Sequence, residues 1–316
     1  MSILLDNKTK NNEKTCTFSK FILNFISLKN YRRRKLRISE ILKHKNRTLS
    51  FEFFPPKKIE NEKTLFDTIE ILKQYNPDFV SITYGAGGST KEKTIDWTLK
   101  IKKDYNLNVM MHLTCISSTK ESIDNIIETL NKNNIDNILA LRGDLPNDNN
   151  INSMEFKYAY ELVEYLKGKG DFSIGVAGYP EGHPESPSLE KDIEYLKMKI
   201  DAGGEFIITQ LFFDNRYFFD FVERVEKSGI KAPIVAGIMP ILNLSQIERF
   251  VDMCGSTIPE SLTKKLENKS KEDMYKIGIE YATKQCIELI ENNVKGLHFY
   301  TLNKHNATHD ILKNLP

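Results

Sequence analysis

From residue 49 onward the chain alternates two hydrophobic periods. Short apolar runs rich in β-branched and aromatic residues occur at 49–54, 78–83, 108–114, 137–142, 172–177, 206–210, 234–237 and 296–300, and each has the length of a strand. Between them apolar residues recur at helical spacing, as in Leu65-Ile69-Leu72, Ile95-Leu99-Ile101, Ile123-Ile126-Ile127-Leu130, Leu162-Val163-Leu166 and Ile193-Leu196-Ile200. A long final pattern covers 275–290. Strands that alternate with helices pair in parallel through right-handed crossovers. About eight such units in roughly 265 residues predict a closed (β/α)8 barrel with extra helices, in preference to an open sheet.

That fold makes a positional prediction, because chemistry in such barrels collects at the C-terminal ends of the strands. Those ends carry Glu52, Thr83, His112, Arg142 with Asp144, Tyr179, Gln210, the segment Ile238-Met239-Pro240, and Tyr300. An acid, a hydroxyl, an imidazole, a guanidinium, an amide and a phenol around one mouth suit a large ligand rich in heteroatoms.

The first strand, Ser50-Phe51-Glu52-Phe53-Phe54-Pro55-Pro56, sets a carboxylate among aromatics and stops at two prolines. Alternation puts Phe51 and Phe53 on one face and Ser50, Glu52 and Phe54 on the other, so Glu52 is expected to share its face with apolar neighbours. A carboxylate drawn out of water is costly unless paired or protonated, and a protonated carboxyl near neutral pH is what a general acid requires. The plainer alternative is a glutamate at a strand edge that reaches water.

Other stretches leave alternatives open. Gly85-Ala86-Gly87-Gly88-Ser89-Thr90 sits where a dinucleotide fingerprint would, yet lacks its third glycine and the acidic residue after the next strand, leaving a glycine-rich turn that a ligand can approach closely. Arg142-Gly143-Asp144 reads either as a local ion pair or as a glycine turn that aims Asp144 at a ligand. Tyr179-Pro180-Glu181-Gly182-His183-Pro184 is a rigid loop displaying an aromatic and an imidazole. Asp192 and Lys199, seven apart, share one helix face, which by default is solvated. Gln210 ends an apolar strand, where a buried amide needs a partner.

Charge divides the chain. Residues 1–45 hold 12 Lys/Arg against 3 Asp/Glu, and the remainder 33 against 40. A mildly acidic body argues against nucleic-acid binding, which calls for a clustered basic face. Residues 1–34 are expected to be a disordered basic extension, with the catalytic domain over 35–316. Cys16, Cys115, Cys254 and Cys286 show no metal-ligand spacing and fit a reducing, cytoplasmic setting. No apolar run reaches the roughly 18–20 residues of a membrane span.

The motifs quoted above, together with Thr83-Tyr84-Gly85-Ala86, His112-Leu113-Thr114-Cys115, Thr209-Gln210-Leu211-Phe212-Phe213-Asp214 and Phe299-Tyr300-Thr301-Leu302-Asn303, resemble the bacterial methylenetetrahydrofolate reductase family over about residues 38–316. The resemblance implies a flavoprotein, with FAD preferred over FMN, that takes hydride from NADH or NADPH and reduces 5,10-methylenetetrahydrofolate to 5-methyltetrahydrofolate in a ping-pong cycle feeding methionine synthesis. It assigns Glu52 as the acid and Asp144 as an electrostatic partner that also binds the pterin. It places Thr83, His112, Arg142, Gly143, Asp144, Ala177, Tyr179, His183, Asp192 and Lys199 against the flavin, and Gln210, Leu244, Tyr300 and Lys304 with Glu52 and Asp144 in the substrate site. Leu244 departs from the phenylalanine common in relatives, and Lys304 replaces an arginine fork with a point charge. A homo-oligomer is implied, and no C-terminal regulatory domain is expected. Two other readings share the fold: a flavoprotein fed by ferredoxin or a partner subunit, and a noncatalytic scaffold subunit.

Overall fold

The computed structural model describes residues 37–316 apart from 57, 85–90, 146–153, 243–250 and 252–253. The extension 1–34, the glycine-rich turn 85–90 and Leu244 therefore lie outside the described residues. Eight parallel strands close into a barrel in simple sequential order: β1 Thr48–Phe53, β2 Phe79–Ile82, β3 Val109–Thr114, β4 Asn137–Leu141, β5 Ser173–Gly178, β6 Phe206–Thr209, β7 Ile234–Ile238 and β8 Gly296–Tyr300, with β8 pairing back onto β1. All eight apolar runs are strands, and the predicted (β/α)8 barrel is the observed architecture.

The helices are α1 Ile38–His44, α2 Glu62–Lys73, α3 Lys91–Tyr105, α4 Lys120–Lys132, α5 Ala159–Lys169, α6 Leu189–Asp201, α7 Asn215–Lys227, α8 Glu260–Leu266, α9 Lys271–Glu291 and α10 Asn306–Lys313. Their starts follow local chemistry. Thr119 and Ser122 form a reciprocal capping box at α4, while the Ser188 and Ser270 hydroxyls accept the Lys191 and Asp273 N–H groups of α6 and α9. Each amphipathic face then packs on the outside of the sheet. Leu65, Ile69 and Leu72 of α2 join the same cluster as Phe51, Phe53 and Val80. None of the described helices is long and apolar enough to cross a membrane.

The inside of the barrel is a second core. Phe79, Met110, Leu139, Phe206, Ile208 and Val235 fill it, and α1 closes its lower end with Ile38 and Leu42. A helix N-terminus inside a barrel leaves backbone donors without partners unless the walls supply acceptors. Here they do: Ile38 N donates to Asn137 Oδ1 at 2.9 Å and Ser39 N to Ser173 Oγ at 3.0 Å. With the lower end plugged, the C-terminal ends of the strands form the opposite face, the mouth.

Candidate active site at the barrel mouth

Glu52 projects into this mouth from β1. The alternation is as expected, with Phe51 and Phe53 packed outward, but the face Glu52 occupies is polar and not apolar. Its Oε2 lies 3.5 Å from Ser81 Oγ, 3.5 Å from His298 Nε2 and 3.4 Å from His112 Nε2. The reason is the closure of the sheet: Ser81 of β2 pairs in register with Glu52, His298 of β8 pairs with Ser50, and His112 of β3 lies two residues past the partner of Ser81, and sequence distance hides that convergence. Phe54, counted on the same face, lies past the strand end and is exposed.

The backbone beneath Glu52 is held by the turn after β8. Thr301 Oγ1 donates to Glu52 O at 2.6 Å, while Asn303 accepts from Phe54 N at 3.0 Å and returns a bond to Phe54 O at 2.8 Å. Strand β1 thus ends in side-chain clamps just where Pro55 and Pro56 deny it further ladder donors. Thr83 also continues the ladder beyond β2, its N–H bonded to Phe53 O at 2.9 Å.

His112 is buried, and its Nε2 has no hydrogen bond despite its approach to Glu52. Burial pushes its pKa down to about 4, partly opposed by the Glu52 carboxylate. It is an imidazole held neutral with one nitrogen unengaged.

The β4 and β5 edges of the mouth decide one open alternative and correct one expectation. Arg142 does not form a local pair with Asp144; it makes a two-pronged bond to Glu185 at 2.5 and 2.7 Å. Gly143 has φ +87°, the left-handed turn that a side chain strains to adopt, and this turn carries Asp144 away from Arg142 into an exposed position. Nor is the Asp192 and Lys199 face solvated. Asp192 is buried and accepts from Ser186 Oγ at 2.8 Å, and Lys199 Nζ donates to Ala177 O at 2.6 Å. Helix α6 runs back along the barrel from the β5 loop, so its inward face meets β5. Burial lowers the Lys199 pKa to about 8, with Asp192 opposing the shift.

Tyr179 and His183 meet edge to face with centroids 4.7 Å apart, so His183 is half-buried against the loop and not a free surface group. Burial raises the Tyr179 pKa, Cys254, Asp192 and Asp144 add to the rise, and the Arg142 charge opposes it. On the far side, Gln210 follows β6 and its Oε1 accepts from Leu211 N at 2.9 Å. Tyr300 reaches over Gly237 of β7 to donate to Thr209 O at 2.6 Å, and a Cβ at Gly237 would stand 2.7 Å from its ring. Lys304 is exposed in the turn after β8.

Three participants escaped the sequence reading: Ser81, His298 and Glu185. His298 sits two residues before Tyr300, so the period of two on β8 could have found it. Glu185 had no comparable signal, because its pairing with Arg142 depends on how two loops meet.

A family model described as methylenetetrahydrofolate reductase matches residues 37–316. The chain is 39% identical over 295 residues to methylenetetrahydrofolate reductase (NADH) 1 of Arabidopsis thaliana, a match covering 88% of this chain and 50% of that protein. It is 38% identical over 269 residues to 5,10-methylenetetrahydrofolate reductase of Escherichia coli strain K12, covering 84% and 90% respectively. The chain spans about half the length of the plant relatives it matches. A solved Clostridium thermocellum protein, described as binding two copies of 5-methyl-5,6,7,8-tetrahydrofolic acid, superposes with a TM-score of 0.61 over 87% of this chain and 95% of that one; at 15% identity the likeness is one of fold.

Proposed function

The chain belongs to the methylenetetrahydrofolate reductase family, and from that premise we propose that it reduces 5,10-methylenetetrahydrofolate to 5-methyltetrahydrofolate with NADH or NADPH as the donor and FAD as the bound flavin. The observation that carries the reading is the position of Glu52: a carboxyl at the strand-end face opposite the plug, facing His112, Ser81 and His298.

The mouth suits a flavin. His112 Nε2 is buried without a hydrogen bond, a nitrogen that a heteroaromatic ligand could engage. Thr83, Arg142, Gly143, Asp144, Ala177, Tyr179, His183, Asp192 and Lys199 would hold the cofactor, with cations at Arg142 and Lys199 suited to its phosphates. When bound, the flavin supplies the hydride relay between nicotinamide and folate.

The chain's own residues supply the rest. Glu52 gives its proton to folate N10 as the N10–methylene bond breaks, and the N5 lone pair becomes the second bond of an N5 iminium. Addition of hydride to the methylene carbon returns that pair to N5 and leaves the 5-methyl product. Asp144 offsets the cation in the interval. Gln210, Tyr300, Leu244 and Lys304 position the folate.

Anaerobic stopped-flow of the purified protein tests this. NADH should bleach bound flavin, and methylenetetrahydrofolate should restore its absorbance. A flavin-free protein, or reduced flavin that the folate leaves reduced, would overturn the proposal. Flavin that folate reoxidises but no nicotinamide bleaches would move the donor to a partner protein.

A further inference from the structure

We propose that His298 is a positioning residue for Glu52, matching its own tautomer to the protonation state of the carboxyl through a buried chain that ends at Ser50. The inference rests on the acid role given to Glu52 above.

His298 is fully buried in a barrel interior otherwise filled by Phe79, Met110, Leu139, Ile208 and Val235. A polar ring in such surroundings costs several kcal/mol unless its nitrogens are bonded, and both have polar neighbours. Its plane is set by packing. Phe79 lies nearly parallel at 6.0 Å between centroids and 17°, and Tyr300 meets it edge-on at 5.4 Å and 86°. A ring fixed in this way aims its nitrogens in fixed directions. Nδ1 is 2.8 Å from Ser50 Oγ, and Nε2 is 3.5 Å from Glu52 Oε2 and 3.4 Å from Ser81 Oγ.

Ser50 makes this chain two-way. Its hydroxyl lies 3.4 Å from Leu297 O as well as beside Nδ1, and it has one proton to donate. If that proton goes to Leu297 O, Nδ1–H donates to Ser50 Oγ and Nε2 is an acceptor, which suits a protonated Glu52. If it goes to Nδ1, Nε2–H faces Glu52 and suits the carboxylate. The two arrangements differ by the one proton Glu52 gives up and by which ring nitrogen carries the imidazole proton; His298 is neutral in both, so the change of charge is confined to the carboxyl. Ser81 Oγ can donate to the carboxylate or to Nε2, so it accommodates either arrangement. His112 approaches the same oxygen at 3.4 Å without hydrogen-bond geometry, and Tyr300 spends its proton on Thr209 O, so neither duplicates the role. A residue that only filled space would need neither the serine nor the alignment with Glu52.

The test uses the flavin-loaded full chain with 15N-labelled histidine, together with half-reaction kinetics. Long-range proton–nitrogen spectra should show the two His298 nitrogens exchanging donor and acceptor character as pH is varied, and Glu52→Gln should freeze that exchange. In stopped-flow, His298→Phe should slow flavin reoxidation by folate about 10- to 100-fold and displace its pH profile, with flavin content and reduction by NADH within about twofold of wild type. His298→Gln, which returns one amide near Nε2, should recover much of the loss. The proposal is overturned if Glu52→Gln leaves the His298 spectra unchanged, if His298→Phe reoxidises at the wild-type rate, or if the Phe and Gln variants are equally slow in both half-reactions. Should His298→Phe fold poorly, the spectra and Ser50→Ala, expected to bias the tautomer, decide the matter. Because the spectra need no folate, a wild-type protein that fails to turn over folate would refute the proposed activity while the coupling between the two residues is still read.

Discussion

The two ends of the barrel are built from the same strands and treat polar groups in opposite ways. At the lower end, backbone donors of α1 meet Asn137 and Ser173, and Arg37 is paired with Asp171 and Glu205. At the mouth, His112 Nε2 is buried without a bond, the Lys199 amine is pressed down to about 8, and Glu52 has its polar neighbours at 3.4 to 3.5 Å, all long for hydrogen bonds. The lower end bonds the helix donors to the barrel wall, although Arg37 Nε and Ser39 Oγ stay buried without a partner, while the mouth gathers titratable groups that are buried or loosely held. Unsatisfied buried groups carry a cost that a binding site recovers when its ligand arrives.

This contrast can be broken from either side. The largest expected effect is at the mouth: Glu52→Gln should depress the folate half-reaction by about 10²- to 10⁴-fold while flavin reduction by NADH and thermal stability stay near wild type, as read by stopped-flow and a melting curve. Equal loss in both half-reactions would remove Glu52 from the acid role. At the plug the pattern should invert. Leu42→Ala empties a buried position among Phe79, Phe206 and Val235 and should cost about 2–5 kcal/mol in denaturant unfolding, with the folate rate per folded molecule unchanged. A change in that rate without loss of stability would mean the two ends are not separable.

The smallest effect sharpens the contrast through pH. An unfolded chain protonates His112 near 6.5, whereas the folded protein resists until about 4. Between those values the unfolded state binds more protons, so stability should fall as pH falls, by on the order of 1–3 kcal/mol. Replacing His112 with Gln should flatten that slope in denaturant titrations between pH 6.5 and 4, and an unchanged slope would place the titration elsewhere.

Much of this protein was legible without coordinates. Eight short apolar runs and the helical period between them already require strands packed against amphipathic helices, since burial of apolar surface decides which element forms. Strand ends then nominate Glu52, His112, Arg142 and Tyr300, because parallel βα units leave their C-terminal ends on one side. The readings that failed share a cause. Apolar company for Glu52 and a solvated face for Lys199 were each inferred from chain neighbours.

Local pattern settles which face of an element is buried and where a helix is capped, because those depend on residues within a turn or two. Partnership between elements does not follow from it. Glu52 meets His298 across 246 positions, Arg142 meets Glu185 across 43, and Lys199 reaches Ala177 across 22. Hydrogen bonds and desolvation act over a few ångströms of space, and only the closing of the barrel decides which distant residues come that close.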